Sequence, residues 1–323
     1  MSEQTVLSPN LGLDLVRATE AAALSAGRWA GLGRLDEAER AATEAMNQIL
    51  QNIEIDGRLC VGEEARLGEH ATFITGQRLG TGRGPAVDVL ADAIDGRRLL
   101  AGGYPGALSA VAVAQRGAIW FPRTTRYMEK IVAAAEVAQA LVPECLDAPA
   151  AWTLALVARA KGKQVRDLVV FLLDRPRHAD LVAEIRAAGA HVLLRSGGDI
   201  AGALLAGLHD STVDLLMGTG GVPQGLLAAC AVKAARGAML GRLVAINQEE
   251  EEALRAAPPE DRAIRTIDEL VAGSQVFFAA TGITDNPLLN GVRYRGSYAE
   301  TSSILLRAET GIRRIILAEH LVE

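Results

Sequence analysis

The chain has 323 residues, half of them apolar and 22% charged, which excludes a disordered polymer and gives enough material for two domains with sizeable cores. Its formal charge of −6, with arginines scattered and no dense basic run, argues against a general nucleic-acid binder. No basic-then-apolar leader opens it, and no apolar run reaches the roughly 18 residues that would span a membrane, so a cytoplasmic protein is expected. Cys60, Cys145 and Cys230 are far apart and have no CxxC or Cys/His spacing, as for reduced buried thiols.

In chain order, residues 13–30 read as an alanine-rich amphipathic helix that ends near Gly31 and Gly33, and residues 36–53 as a second helix. A short strand over residues 57–63 ends in Gly-Glu and delivers Glu63 to a strand end. Residues 71–74 read as another strand, and Gly80-Thr-Gly-Arg-Gly84 as a glycine-rich turn. The apolar strand at 86–91 then brings up Ala91-Asp-Ala-Ile-Asp-Gly-Arg-Arg98. Asp92 and Asp95 offer hard oxygen ligands for Mg²⁺ or Mn²⁺, and Gly96 lets the backbone approach a phosphate. The same letters also make an ordinary solvated turn. Residues 102–115 fit helix or strand, and Tyr127-Met-Glu-Lys130 opens an apolar segment that runs to Val142.

Residues 143–149, with two prolines, read as a linker, so a boundary is expected there: an N-terminal domain over 1–148 and a C-terminal domain over 149–323. Beyond it the pattern alternates. Helix 151–163, strand 167–173, loop 175–178, helix 179–188, strand 191–194, helix 200–208 and strand 214–217 lead into Gly218-Thr-Gly-Gly-Val-Pro-Gln-Gly225 and a helix from Leu226. Such alternation predicts an α/β fold with a mostly parallel or mixed sheet, in which ligands sit at the carboxyl ends of strands. Glu249 to Glu252 is a solvated acidic run, and apolar stretches after Val276 are expected to close the second domain.

Taken as an ordered set, these motifs resemble class II fructose-1,6-bisphosphatases, a branch of the lithium-sensitive, Mg²⁺-dependent sugar and inositol phosphatases. The resemblance rests on Thr19-Glu-Ala-Ala-Ala23, Gly62-Glu63, Gly80–Gly84, Asp92-x-Ile-Asp-Gly96, Tyr127-Met-Glu-Lys130, Pro176-Arg-His178, Gly218–Pro223, Ala280-Thr-Gly-Ile-Thr284 and Ile312-Arg-Arg-Ile315. It implies a two-domain layered α-β-α-β-α fold with mixed sheets, a homo-oligomer, and a role in carbohydrate metabolism. It also implies Mg²⁺ or Mn²⁺ ions that clamp the attacking and leaving oxygens at a sugar 1-phosphate. Carried over residue by residue, Glu63, Asp92 and Asp95 are implied metal ligands. Tyr127, Arg175, Arg177, Asp199, Gly220 and Gly221 are implied to hold the sugar and its second phosphate, a task that suits bidentate arginine.

The departures from the family pattern fall in its chemistry. Arg34 stands where the family has an aspartate ligand, Gln224 where it has a glutamate ligand, and Arg97 where a threonine orients the attacking water; Ala93 and Gly197 replace a proline and a sugar-side aspartate. Asp to Arg adds two charge units, and Glu to Gln and Thr to Arg add one each, four in all. Arginine keeps its proton and accepts no cation, and two guanidinium groups beside a divalent ion repel it by several kcal/mol at an effective dielectric of about 20. Two expectations stand side by side. In one, a pseudoenzyme binds a sugar phosphate or another small anion with hydrolysis lost, and serves a regulatory or structural role, pairing with a protein partner or an active relative. In the other, a metal-dependent bisphosphatase, slower or with a shifted substrate, works with one metal held by Glu63, Asp92 and Asp95, and Arg34 or Arg97 stabilises transition-state charge. The alanine-rich N-terminal helices are the expected oligomer interface.

Overall fold

In the computed structural model of the chain, residues 7–62, 64, 71–122 and 124–322 are described. In order these include α1 (Leu11–Gly27), α2 (Leu35–Leu50), β1 (Asp56–Leu59), β2 (Arg78–Leu79), β3 (Ala86–Asp95), α3 (Arg97–Ala101), β4 (Leu108–Gln115) and β5 (Tyr127–Ala133). There follow α4 (Ala150–Lys161), β6 (Val169–Leu173), α5 (Ala179–Ala187), β7 (His191–Arg195), α6 (Asp199–Gly207), β8 (Leu215–Gly221), α7 (Val222–Ala234) and β9 (Ala238–Val244). The chain continues through α8 (Gln248–Ala256), β10 (Arg265–Thr266), β11 (Val276–Gly282), β12 (Arg293–Arg295), β13 (Tyr298–Arg307) and β14 (Ile312–Leu321).

Two compact units result, Met1–Ile119 with Gly273–Glu323, and Trp120–Ala272. The first is built on an eight-stranded sheet ordered β12-β13-β11-β4-β3-β1-β2, with β14 outside β13. Only β1 and β3 run parallel; the other pairs are antiparallel. α1 lies across its centre. Ala18, Ala22, Ala23 and Ala26 are fully buried, and the missing side chain of Gly12 lets Leu305 and Phe277 come up against the helix. Small residues bring helix and sheet close, so the alanine stripe packs into this unit's own core. In α2, Ala38, Ala42, Met46 and Leu50 recur at four-residue steps and are all buried, the stripe of a helix packed on one side.

The second unit carries a six-stranded sheet ordered β10-β9-β5-β8-β6-β7. β7, β6 and β8 are parallel and are joined through α5 and α6, while β5, β9 and β10 are antiparallel. Leu154 and Val157 of α4 and Ile185 of α5 pack with Val170, Leu172 and Leu215 on one face. On the other, Gly202 of α6 lies against the Phe171 ring. The architecture is mixed α/β, as expected.

The boundary differs from the expected one. Trp120, not residue 149, begins the second unit, and residues 143–149 hold a 3-10 turn that buries Cys145 and Leu146 instead of a linker. The strands after Val276 belong to the first sheet, because β11 pairs with β4 over seven residues, from Val276↔Ala114 to Gly282↔Leu108. Residues 71–74 are loop, with strand only at Arg78–Leu79. All three cysteines are buried thiols outside any disulfide, and burial pushes the Cys60 thiol up to about 12. Among the described residues no helix is long and apolar enough to cross a membrane.

Candidate functional site

In the first unit, β3 runs on through both aspartates instead of stopping at residue 91. Two residues three apart in a regular strand point to opposite faces. Here Asp92 pairs with Ala110 and Asp95 with Leu108, so the three steps on β3 match two on β4 across a β-bulge. The extra residue turns Asp95 onto the face of Asp92. Both carboxylates are buried, at 8% and 5% exposure, and Asp92 Oδ1 accepts a 3.1 Å hydrogen bond from the Ile94 N–H.

Gly96, with φ +87, turns the chain into α3, whose first residue is Arg97. The Arg97 guanidinium lies 3.1 Å from Glu39 of α2, a carboxylate only 2% exposed. The loop before α2 is tied to α3 by hydrogen bonds from the Gly31 N–H to Leu100 O (2.9 Å) and from the Gly33 N–H to Ala101 O (3.0 Å). Arg34, the next residue, is mostly exposed and 3.9 Å from Glu37. Glu63 lies outside the described residues.

Among the described residues no group of three or more His, Cys, Asp or Glu side chains converges on a common point. The side chain that follows the aspartate pair is a guanidinium already directed at a carboxylate. Asp92 and Asp95 supply two of the oxygen donors that a hard divalent cation takes, and the expected third, Glu63, is outside the described residues.

In the second unit the glycine-rich stretch is half strand. Gly218 to Gly221 pair with Lys130 to Tyr127, and α7 begins at Val222. Lys130 and Gly220 share the face on which α6 places Asp199. Lys130 Nζ is fully buried and donates to Asp199 Oδ2 at 2.8 Å. A side chain at Gly220 would collide with both groups, and one at Gly218 (φ +120) would press on the His178 ring. The imidazole is clamped at both nitrogens. Its Nδ1 lies 2.7 Å from Leu173 O, and its Nε2 accepts the Thr219 N–H at 2.8 Å. That pattern fixes the neutral tautomer with the proton on Nδ1, and burial lowers the His178 pKa below its ordinary value.

Arg177 donates twice to Thr219 O, at 3.2 and 2.8 Å, and stacks 5.3 Å over the Tyr127 ring. Burial moves its pKa down, although guanidinium remains charged at any working pH. Arg175 donates to Asp174 O at 2.7 Å and to Ser196 O at 2.9 Å. Gln224, in the first turn of α7, lies against Gly221. Of the residues read from sequence, Tyr127, Arg177, Asp199 and Gly220 are thus drawn together around β5 and β8, with Arg175 and Gly221 beside them. Three residues gained roles the sequence did not assign. Lys130 and His178 stood in the quoted motifs without a function, and Glu39 was one unremarked residue of the second helix.

A model of the bacterial, glpX-encoded fructose-1,6-bisphosphatase family matches residues 9–320. The chain is 33% identical to fructose-1,6-bisphosphatase 1 class 2 of Escherichia coli K12 over 326 aligned positions, covering 97% of this chain and 96% of that protein. The class 2 fructose-1,6-bisphosphatases of Escherichia coli O6:H1 and Shigella flexneri match with the same identity and coverage.

Proposed function

The chain belongs to the bacterial, glpX-encoded fructose-1,6-bisphosphatase family, and we propose that it binds a sugar phosphate or bisphosphate while hydrolysing it weakly or not at all. One observation carries this reading: Arg97 follows the aspartate pair and is directed at the buried Glu39. A guanidinium neither orients a water as base-assisted nucleophile nor accepts a cation. Arg34 and Gln224 extend the same trend, since neither offers an anionic oxygen. The role of such a protein is regulatory or structural, within carbohydrate metabolism.

Binding falls to Arg175, Arg177, Tyr127, Asp199, Gly220 and Gly221. Both arginines are anchored by neutral backbone carbonyls, which orient a guanidinium without cancelling its charge. A phosphate would meet that charge in charge-assisted hydrogen bonds. Titration calorimetry with fructose 1,6-bisphosphate tests the reading. The affinity is expected to be the same in EDTA as in Mg²⁺ or Mn²⁺, and binding that requires either cation would overturn it.

A second reading, retained metal-dependent hydrolysis of the 1-phosphate, is favoured by the bulge that keeps Asp92 and Asp95 on one face. A bulge that merely ended a strand would have no reason to align two buried carboxylates. Phosphate release that depends on Asp92 separates the two.

A further inference from the structure

β14 is the outer strand of the first sheet. It pairs with β13 along ten residues, from Tyr298↔Leu321 to Arg307↔Ile312, and among the described residues no strand pairs with its other edge. Its even-numbered residues face the helix layer, where Ile316 packs against the core and His320 Nε2 lies 2.8 Å from Thr301 Oγ1. Its odd-numbered residues Arg313, Ile315, Leu317, Glu319 and Leu321 are exposed, Leu317 at 74%. A long unpaired edge rich in Ile and Leu is a template for strand addition.

The order of the exposed side chains says what is added. At two-residue steps the strand reads Arg-Ile-Leu-Glu from 313 to 319, and an antiparallel second copy presents Glu-Leu-Ile-Arg. With Ile316 on the two-fold axis, Arg313 falls opposite Glu319 and Ile315 opposite Leu317, each pair occurring twice. Opposite charges and apolar pairs directly across a ladder are the stabilising cross-strand combinations. A one-residue slip would set outward backbone groups against inward ones and mix the two faces. Moving the axis to Ile315 or Leu317 would set Arg313 opposite Leu317 or Leu321 and lose both charge pairs.

We propose that β14 pairs antiparallel with β14 of a second copy of this chain about a two-fold axis at Ile316, making one continuous sheet from two. The interface is isologous, so each charge pair is formed by two chains. It depends on no property of the sugar-phosphate site.

Sedimentation velocity on the full chain tests this through charge reversal. Wild type is expected at twice the single-chain mass or a multiple of it, and Arg313→Glu and Glu319→Arg alone at half the wild-type mass. Each single variant opposes like charges across the axis, but an equimolar mixture of the two restores both pairs. The mixture, and the doubly substituted R313E/E319R chain, are expected to return to the wild-type mass, which also shows that the single variants are folded. Wild type sedimenting as one chain, single variants keeping the wild-type mass, or a mixture that stays at half mass would each overturn the proposal.

Discussion

The segment from Asp92 to Arg97 in the first unit and the ends of β5 and β8 in the second both collect charge at strand ends, and they handle it in opposite ways. At β5 and β8 the interior charges Lys130 and Asp199 neutralise each other, while Arg175 and Arg177 give their hydrogen bonds to backbone carbonyls and keep their charge for something outside. Beyond Asp95, Arg97 is directed inward, at a carboxylate buried in α2. One region is organised to meet an anion. The other has its cation engaged inside the fold.

The largest effect should come from breaking the neutral pair. Lys130→Met would leave Asp199 charged and buried, and such half-pairs cost about 3–5 kcal/mol. Denaturant unfolding should show that loss, and Lys130→Met/Asp199→Leu should recover most of it. A single variant as stable as wild type would mean that water reaches the pair.

The two arginines sharpen the contrast further. Arg177→Ala should weaken sugar-phosphate binding about 10- to 100-fold, the range of about 1.5–3 kcal/mol for hydrogen bonds to charged groups, with little change in stability. Arg97→Thr should do the reverse. It removes a cation from beside Glu39 and should cost about 1–2 kcal/mol of stability, discounted because Arg97 is itself 31% exposed, with ligand affinity unchanged. Equal effects of both substitutions on binding, read by calorimetry, would erase the distinction between the regions.

His178 gives the smallest effect. Its pKa is lowered in the fold, so between that value and the ordinary 6.5 the unfolded chain binds more protons than the folded one. Stability should therefore fall as pH drops through and below 6.5. His178→Asn, which keeps a donor and an acceptor, should flatten that part of the melting-temperature profile. An unchanged slope would place the pH dependence elsewhere.

The sequence made the elements of the second unit legible because α4, α5 and α6 and the strands between them alternate cleanly. It misled where pairing is non-local. Nothing in residues 276–282 says that they lie against β4, and so the expected division put the last strands in the wrong unit. β9 went unread because Gly241 and Arg242 interrupt its apolar run, although its partners supply the ladder. The aspartate pair was visible as a motif, but its shared face was not, since a bulge is defined by the opposing strand. Lys130 looked like the polar opening of an apolar strand. Its burial depends on Asp199, which is 69 residues away in sequence. Glu39 was hidden in the same way, being a helix glutamate whose partner arrives only with α3.

The most direct test of the central claim is phosphate release from fructose 1,6-bisphosphate with Mg²⁺ or Mn²⁺, measured for wild type and for Arg34→Asp/Arg97→Thr/Gln224→Glu. The account predicts release at or near the blank for wild type and a clear gain in the triple variant. Wild-type turnover that disappears in Asp92→Ala would contradict it, and would make Arg97 part of a working catalyst.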